Sequence, residues 1–493
     1  MARVKSPVTG EPQQSRAHRT ILNVAWLGSA QAIRQAVAIL ATILLARFLG
    51  PTEFGIFAMM VFVNELAQLL VDFGMGSALI QRKDIHQRLL SSCFWINLGV
   101  GAVAALTLLV LGPWIAAYFE QPLIRWLLLA SGVNLLIAAV TVLPQALLSR
   151  RLAFRDVALG TLLGSVCGAI TAVAMASAGF GVWSLALQPV AGNAATMLLL
   201  YARARWLPSF EFDLEGVRGL LVFSGQLLGS NVIGHVTRNL TSLILGPAMG
   251  APALGLITMA QTVTWLPIAQ FSQAVVRATF PVFSQMQDDL ERFRQAVYRS
   301  AGAIGMLAFP MLIGIAVLAG DLMPVVFGPK WRDAAPLVVV LCGFSIVQCV
   351  ATLAGTSLLA AGRGGLFLAT NVVGLPVMAT ALWLNCDGSV MQAVVALVIA
   401  STALQLLTLG AAIHAIRGRW RDYLQPLARP MLCSTLMAAA MLLVAPWLGA
   451  QQPAVRLVAL GVVGALVYPV LSLVLNRKAT MELVGLVFNR RRG

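Results

Sequence analysis

ILNVAWLGSAQAIRQAVAILATILLAR, residues 21–47, is an apolar run long enough to cross a bilayer, and it carries Arg34 near its middle. A helix of roughly 20 apolar residues spans the hydrocarbon core. An arginine at the centre of such a helix costs about 3 kcal/mol, so a chain that keeps one is expected to use it. The turn FLGPTEFG (48–55) follows, and then a second apolar run that contains Asn64, Glu65, Gln68 and Asp72. This second run ends in the basic loop QRKDIHQR (81–88).

The rest of the chain has the same character. Of its 493 residues, 59% are hydrophobic and only 11% charged, with a mean hydropathy of +0.86. Soluble domains carry about 25% charged residues, so this composition cannot cover a soluble surface and implies a polytopic membrane protein. The net charge of +16 would suggest nucleic acid in a soluble protein. In a membrane protein it is loop charge that sets topology and faces anionic lipid, and no nucleic-acid partner is expected. The six cysteines lack metal or redox spacing and fall mostly inside apolar runs, as small core residues do.

Apolar runs bounded by charge, Pro or Gly predict an all-α fold of about 14 transmembrane helices. The expected organisation is a cytoplasmic tail (1–19), an N-terminal six-helix lobe (20–202), a cytoplasmic linker (203–218) and a C-terminal six-helix lobe (219–415). A basic loop (416–427), two additional helices (428–475) and a basic tail (476–493) complete it. Pro113, Pro122 and Pro208 are expected in connections, and Pro144, Pro189, Pro267 and Pro376 inside spans. Lysines and arginines concentrate in every second connection and at both termini, although the connection after the tenth span holds only Arg363. The intervening connections hold only Arg47, Arg125, Lys330, Arg332 and Arg456. Such alternation places both ends in the cytoplasm.

A weak internal repeat supports two pseudo-symmetric lobes. LGPTEFGIFAMM (49–60) parallels MGAPALGLITMA (249–260), with Gly50 and Gly55 matching Gly250 and Gly255. Repeats of this kind are a common transporter plan.

Embedded polar residues concentrate in the opening hairpin and at the start of the second half. Gln31 and Arg34 share a face, and Glu65, Gln68 and Asp72 form a stripe at i, i+3, i+7. Asn231, His235 and Arg238, flanked by Asn239, form another, and Gln270, Gln273 and Arg277 a further one. Matched polar stripes imply a shared, water-accessible cavity. Each residue also has a plainer reading. Arg34 could close a structural ion pair with Glu65 or Asp72, His235 could be a hydrogen-bonded core histidine, and Arg277 could be boundary charge. Arg238 has no evident acidic partner and is the stronger ligand candidate. Excess buried cation predicts an anionic ligand, and guanidinium groups suit a diphosphate. The expected cationic site is therefore Arg34, Arg238, Arg277, Gln31 and Asn231, with Glu65, Asp72 and His235 as candidates for ion coupling. There is no Walker A pattern, no metal-binding cluster among the four histidines and no catalytic carboxylate pair in a large loop. No cofactor and no enzymatic activity are expected.

LLARFLGPTEFGIFAMM (44–60) and VDFGMGSALIQRKDI (71–85) resemble the N-terminal signature of Wzx-type polysaccharide flippases. These belong to the multidrug/oligosaccharidyl-lipid/polysaccharide exporter superfamily, and the similarity is to exporters of the xanthan, succinoglycan and colanic-acid kind. The resemblance implies two lobes that alternate between inward- and outward-open states in a bacterial inner membrane. It implies an undecaprenyl-diphosphate-linked oligosaccharide as substrate, with polymerase or export proteins as partners and possible ion-coupled antiport. Alternatives are a cell-wall-precursor flippase or a drug/cation antiporter of the same superfamily. A membrane glycosyltransferase or polymerase, or a scaffold, would be of another class.

Overall fold

The computed structural model describes residues 13–72, 75–81, 85–211, 213–287, 289–477 and 480–481, and among them there is no strand. The fold is all-α. By length and composition, twelve helices among the described residues can cross a membrane. Of the about 14 expected helices, those at 54–76 and 219–245 include residues or side chains that lie outside the described ones.

Packing divides the chain into two compact units, Met1–Pro252 and Ala253–Gly493. The first contains α1 (Gln13–Phe48), α2 (Pro51–Asp72), α3 (Met75–Gln81), α4 (Gln87–Tyr118), α5 (Leu123–Arg150), α6 (Phe154–Ser177) and α7 (Trp183–Ala204). It also holds most of α8 (Leu214–Pro267), which is broken at Gly250 (φ 79°, ψ 172°). That φ lies in the left-handed region where glycine has no steric penalty. Gly50 and Gly250, matched in the sequence repeat, thus both sit at helix breaks. At the first break Pro51 opens α2, and the Gly50 N–H donates to Glu53 Oε2 at 2.8 Å, satisfying one orphan donor of the helix start.

Within this unit α4 packs on α5, α5 on α7, α7 on α6 and α6 on α1, while α2 lies against α4 and α5. Helix α4 extends well past its apolar core. Pro113, expected in a connection, lies inside it, because neighbouring helices and local adjustments re-satisfy the backbone around an intramembrane proline. Its polar start is held by the segment after α7. Ser209 N–H donates to Ser91 Oγ (2.9 Å), Asp213 N–H to Ser92 Oγ (2.6 Å) and Trp206 Nε1 to Gln87 Oε1 (2.8 Å). Hydropathy cannot register such contacts, so a reading from sequence stops the helix short.

The second unit contains α9 (Gln273–Gln285), α10 (Leu290–Leu322), α11 (Ala335–Ala360), α12 (Gly364–Trp383), α13 (Val390–Ala415), α14 (Trp420–Val444) and α15 (Pro453–Leu475). After Pro267 the chain makes a π turn, Ile268–Ser272, before α9, the kind of irregularity a proline imposes on a helix. Helix α10 packs on α11, α14 and α15.

Asp321, 8% exposed at the end of α10, takes both arms of Arg456 at the start of α15, with Arg456 Nε 2.6 Å from Asp321 Oδ2. Removing one member of such a pair strands the other's charge. Arg456 keeps a third of its side chain exposed, so Asp321→Ala is expected to cost about 2 kcal/mol, below the fully buried range. A double-mutant cycle with Arg456→Ala, read by thermal unfolding in detergent, should return a coupling near that value. A coupling of zero would mean that apolar packing alone holds α15.

Candidate functional site

Among the described residues, Arg34 does not pair with Glu65 across the opening hairpin. On α1, Arg34 is exposed and its Nη2 donates to Gln31 Oε1 at 2.9 Å, one turn back on the same face. Among the described residues no carboxylate pairs with Arg34. Helix α1 buries Ala30, Ala41, Leu45 and Ala46 and packs on α6.

Glu65 instead meets His235, which α8 brings against α2 inside the first unit. The ring of His235 is buried (side chain 3% exposed), whereas Glu65 is half exposed. The imidazole Nε2 faces the Phe62 carbonyl at 3.1 Å. A carbonyl only accepts, so Nε2 carries the proton. Nδ1 is left facing Glu65 Oε2 at 3.4 Å and Asn239 Nδ2 at 3.3 Å. Phe62 stacks on the ring with centroids 5.8 Å apart. A neutral His235 accepts from Asn239 through Nδ1. A protonated one presents a second N–H to the Glu65 carboxylate. The cluster therefore has two hydrogen-bonded states that differ by one proton.

Two close approaches position this cluster. A Cβ on Gly55 of α2 would lie on the Ala251 carbonyl oxygen, and one on Gly246 would come within 3.0 Å of the Phe119 ring. The Tyr118 hydroxyl also donates to the Leu243 carbonyl at 2.9 Å. Small residues let α8 lie directly on α2 and α4, which carries His235 to Glu65.

The side chains of Asp72, Asn231, Arg238 and Arg277 lie outside the described residues. Their backbones belong to α2, α8 and α9. Reading the sequence missed the Asp321–Arg456 pair and a partly buried amide pair, Asn193 Nδ2 to Asn134 Oδ1 at 2.8 Å. The available signal for the first was an aspartate closing an apolar run in α10, and for the second two asparagines inside apolar runs. Neither reveals a partner. Among the described residues no three His, Cys, Asp or Glu side chains are grouped to hold a metal.

Residues 44–336 match the family described as "Polysaccharide biosynthesis protein". The chain belongs to this family. Among curated relatives, the lipopolysaccharide biosynthesis protein WzxC of Escherichia coli (strain K12) is 28% identical over 373 residues, covering 73% of each chain. The succinoglycan biosynthesis transport protein ExoT of Rhizobium meliloti (strain 1021) is 28% identical over 454 residues, covering 91% of each. The structure of the lipid II flippase MurJ in an inward closed conformation superposes with a TM-score of 0.73 at 12% identity, covering 92% of this chain and 99% of that one. At that identity the likeness shows the fold. This member of the polysaccharide biosynthesis family is thus a multi-pass membrane protein that shares the helical fold of MurJ.

Proposed function

We propose that the chain is a flippase that moves undecaprenyl-diphosphate-linked oligosaccharide repeat units from the cytoplasmic to the periplasmic leaflet, for exopolysaccharide or lipopolysaccharide assembly. It would act in a bacterial inner membrane with both termini cytoplasmic, as the alternation of basic loops supports. The observation that carries this reading is Arg34, an exposed guanidinium in an apolar helix whose described partner is a neutral amide. A diphosphate bearing sugars cannot cross hydrocarbon unaided, since each unsatisfied polar group costs several kcal/mol. A guanidinium offers two parallel donors to a phosphate. Arg34, Arg238 and Arg277, with Gln31 and Asn231, would form the cationic path for the head group, while the polyprenyl tail stays in lipid. Alternation of the two lobes would carry the head across. The family, and a relative named for transport that matches over most of both chains, support the same substrate class.

Glu65 and His235 are the coupling site in this proposal, with Asp72 on the same α2 stripe. Proton exchange at His235 would switch the Glu65 contact between transport states. Polymerase or export proteins would consume the product on the far side.

The test is leaflet exchange in proteoliposomes loaded with a labelled undecaprenyl-diphosphate oligosaccharide, read by an impermeant sugar-modifying reagent. Protein-dependent exchange is expected, faster with an imposed proton gradient. Absence of exchange with and without a gradient overturns the proposal. With Glu65→Gln, exchange should persist downhill and lose its response to the gradient. An unchanged response would remove Glu65 from coupling.

A further inference from the structure

A cavity of about 420 Å³ opens at the turn between α4 and α5, within the ordinary size range of small-ligand sites. Its walls are apolar (Pro113, Ala116, Ala117, Pro122), and it holds two opposite charges, Glu120 and Arg125, beside Trp126. The two charges are not spent on each other. Among the described residues neither is in an ion pair, and the Arg125 guanidinium lies over the Trp126 ring, 5.3 Å from its centroid. The Arg125 stem runs along Gly112, close enough that a Cβ there would touch it at 3.7 Å. Arg125 is thus seated between a glycine and an indole, with its donor edge left open.

Glu120 is held in place by the backbone. It takes φ 53° at the end of α4, where Glu120 N–H donates to the Ala117 carbonyl (3.2 Å) and Gln121 N–H to that of Ala116 (3.0 Å). Glycine is the usual residue in that left-handed position; at the ends of α6 and α11, Gly179 and Gly362 take it. Leu152, Arg205 and Arg417 also adopt it, but Glu120 is the one of these four that lines the cavity. Strain kept at a ligand-sized opening calls for a function.

Below the cavity, Val103, Leu106, Val110 and Trp114 of α4 are each more than half exposed. Their spacing (i, i+3, i+7, i+11) makes one continuous apolar stripe up to the opening. The opening lies at the end of α4 remote from basic Arg88, one helix of 32 residues away, at the level where a bilayer's head groups meet water.

We propose that this cavity binds the head group of a zwitterionic phospholipid that carries a primary amine, with the acyl chains along the α4 stripe. The phosphate would take the Arg125 guanidinium in a charge-assisted pair, and the ammonium would donate to the Glu120 carboxylate. A quaternary ammonium of the same charge has no N–H to donate, so the site distinguishes amine from choline lipids. The opposite face of the same turn, Tyr118 and Phe119, holds α8 at Leu243 and Gly246, so an occupant would brace the helix that carries His235. This inference does not depend on the flippase reading.

The full-length protein in detergent would be mixed with equal amounts of phosphatidylethanolamine and phosphatidylcholine of the same acyl chains, and retained lipid weighed by native mass spectrometry. The native protein should retain phosphatidylethanolamine with about tenfold preference, the worth of one charge-assisted hydrogen bond. Glu120→Gln should erase the preference, and Arg125→Gln should lower retention of both lipids. Glu120→Gly keeps the backbone where glycine is most at ease, so it should unfold no earlier than the native protein and still lose the preference. Equal retention of the two lipids by the native protein would overturn the proposal, as would a preference that survives Glu120→Gln and Glu120→Gly. Displacement of the lipid by a soluble disaccharide would overturn it as well, in favour of a sugar site.

Discussion

Arg34→Ala is expected to lower protein-dependent exchange of the labelled lipid-linked oligosaccharide about 100-fold and to leave the folded protein intact. The two halves of that statement have separate causes. Arg34 is exposed on α1 and hydrogen-bonded within its own helix to Gln31, while the side chains that α1 buries are Ala30, Ala41, Leu45 and Ala46. Removing an exposed guanidinium leaves those buried side chains in place. It also removes a charge whose presence mid-helix costs about 3 kcal/mol, so thermal stability should hold or rise. Against the substrate, a bidentate guanidinium–phosphate contact is worth about 3 kcal/mol, which is roughly 100-fold. Arg34→Lys keeps the charge and loses the fork, and should recover part of the rate. Exchange unaffected by Arg34→Ala would keep the transport activity and remove Arg34 from the site. Exchange and stability lost together would make Arg34 a structural residue.

Gly164→Leu is expected to prevent assembly of the first unit, the largest stability effect of any single substitution considered. Gly160, Gly164 and Gly168 fall on one face of α6, against Leu200, Thr196, Gly192 and Gln188 of α7. The Thr196 hydroxyl is within 3.2 Å of the Gly160 carbonyl and 3.0 Å of the Gly192 carbonyl. A Cβ at Gly164 would sit on that hydroxyl and 2.5 Å from the Gly192 oxygen. The hydroxyl could rotate away, but the α7 backbone cannot. Such small-residue seams let membrane helices pack backbone to backbone, and α1 lies on α6 as well, so separating α6 from α7 disturbs three helices. The cost should exceed about 3 kcal/mol, seen as loss of a monodisperse peak in size-exclusion chromatography. Gly99→Ala is the control: nothing lies within 4 Å of its added Cβ, and stability should stay the same or rise. If Gly164→Leu is as well behaved as Gly99→Ala, the α6–α7 seam has room for a bulky side chain and the close approach of the two backbones does not hold the unit together.

The membrane class of this chain follows from its residues because hydropathy is a one-dimensional property. A run such as 21–47 must be a helix in lipid whatever surrounds it, since lipid offers no partner for backbone N–H and C=O groups. The family is legible for a similar reason: residues 44–60 and 71–85 both lie within the matched stretch. Helix ends are less so. The start of α4 is helical because the segment after α7 satisfies it, and the passage through Pro113 needs neighbouring helices.

What periodicity cannot reach is pairing across helices. It places Glu65 on an α2 stripe and His235 on an α8 stripe, yet it puts those stripes in different lobes and offers Arg34 as the obvious partner for Glu65. It treats Asp321 and Arg456 as the edges of two unrelated runs. Which face meets which depends on the rotation of each helix and on how closely backbones approach, through Gly55 on Ala251 and Gly164 on Gly192. Those are properties of two surfaces at once. From residues alone came a polytopic helical membrane protein of the polysaccharide exporter kind, with charge embedded near its start. Tertiary structure alone decided that Glu65 belongs to His235, that Asp321 holds α15, and that Glu120 and Arg125 face one cavity, because each joins side chains from helices or helix ends that only folding brings side by side.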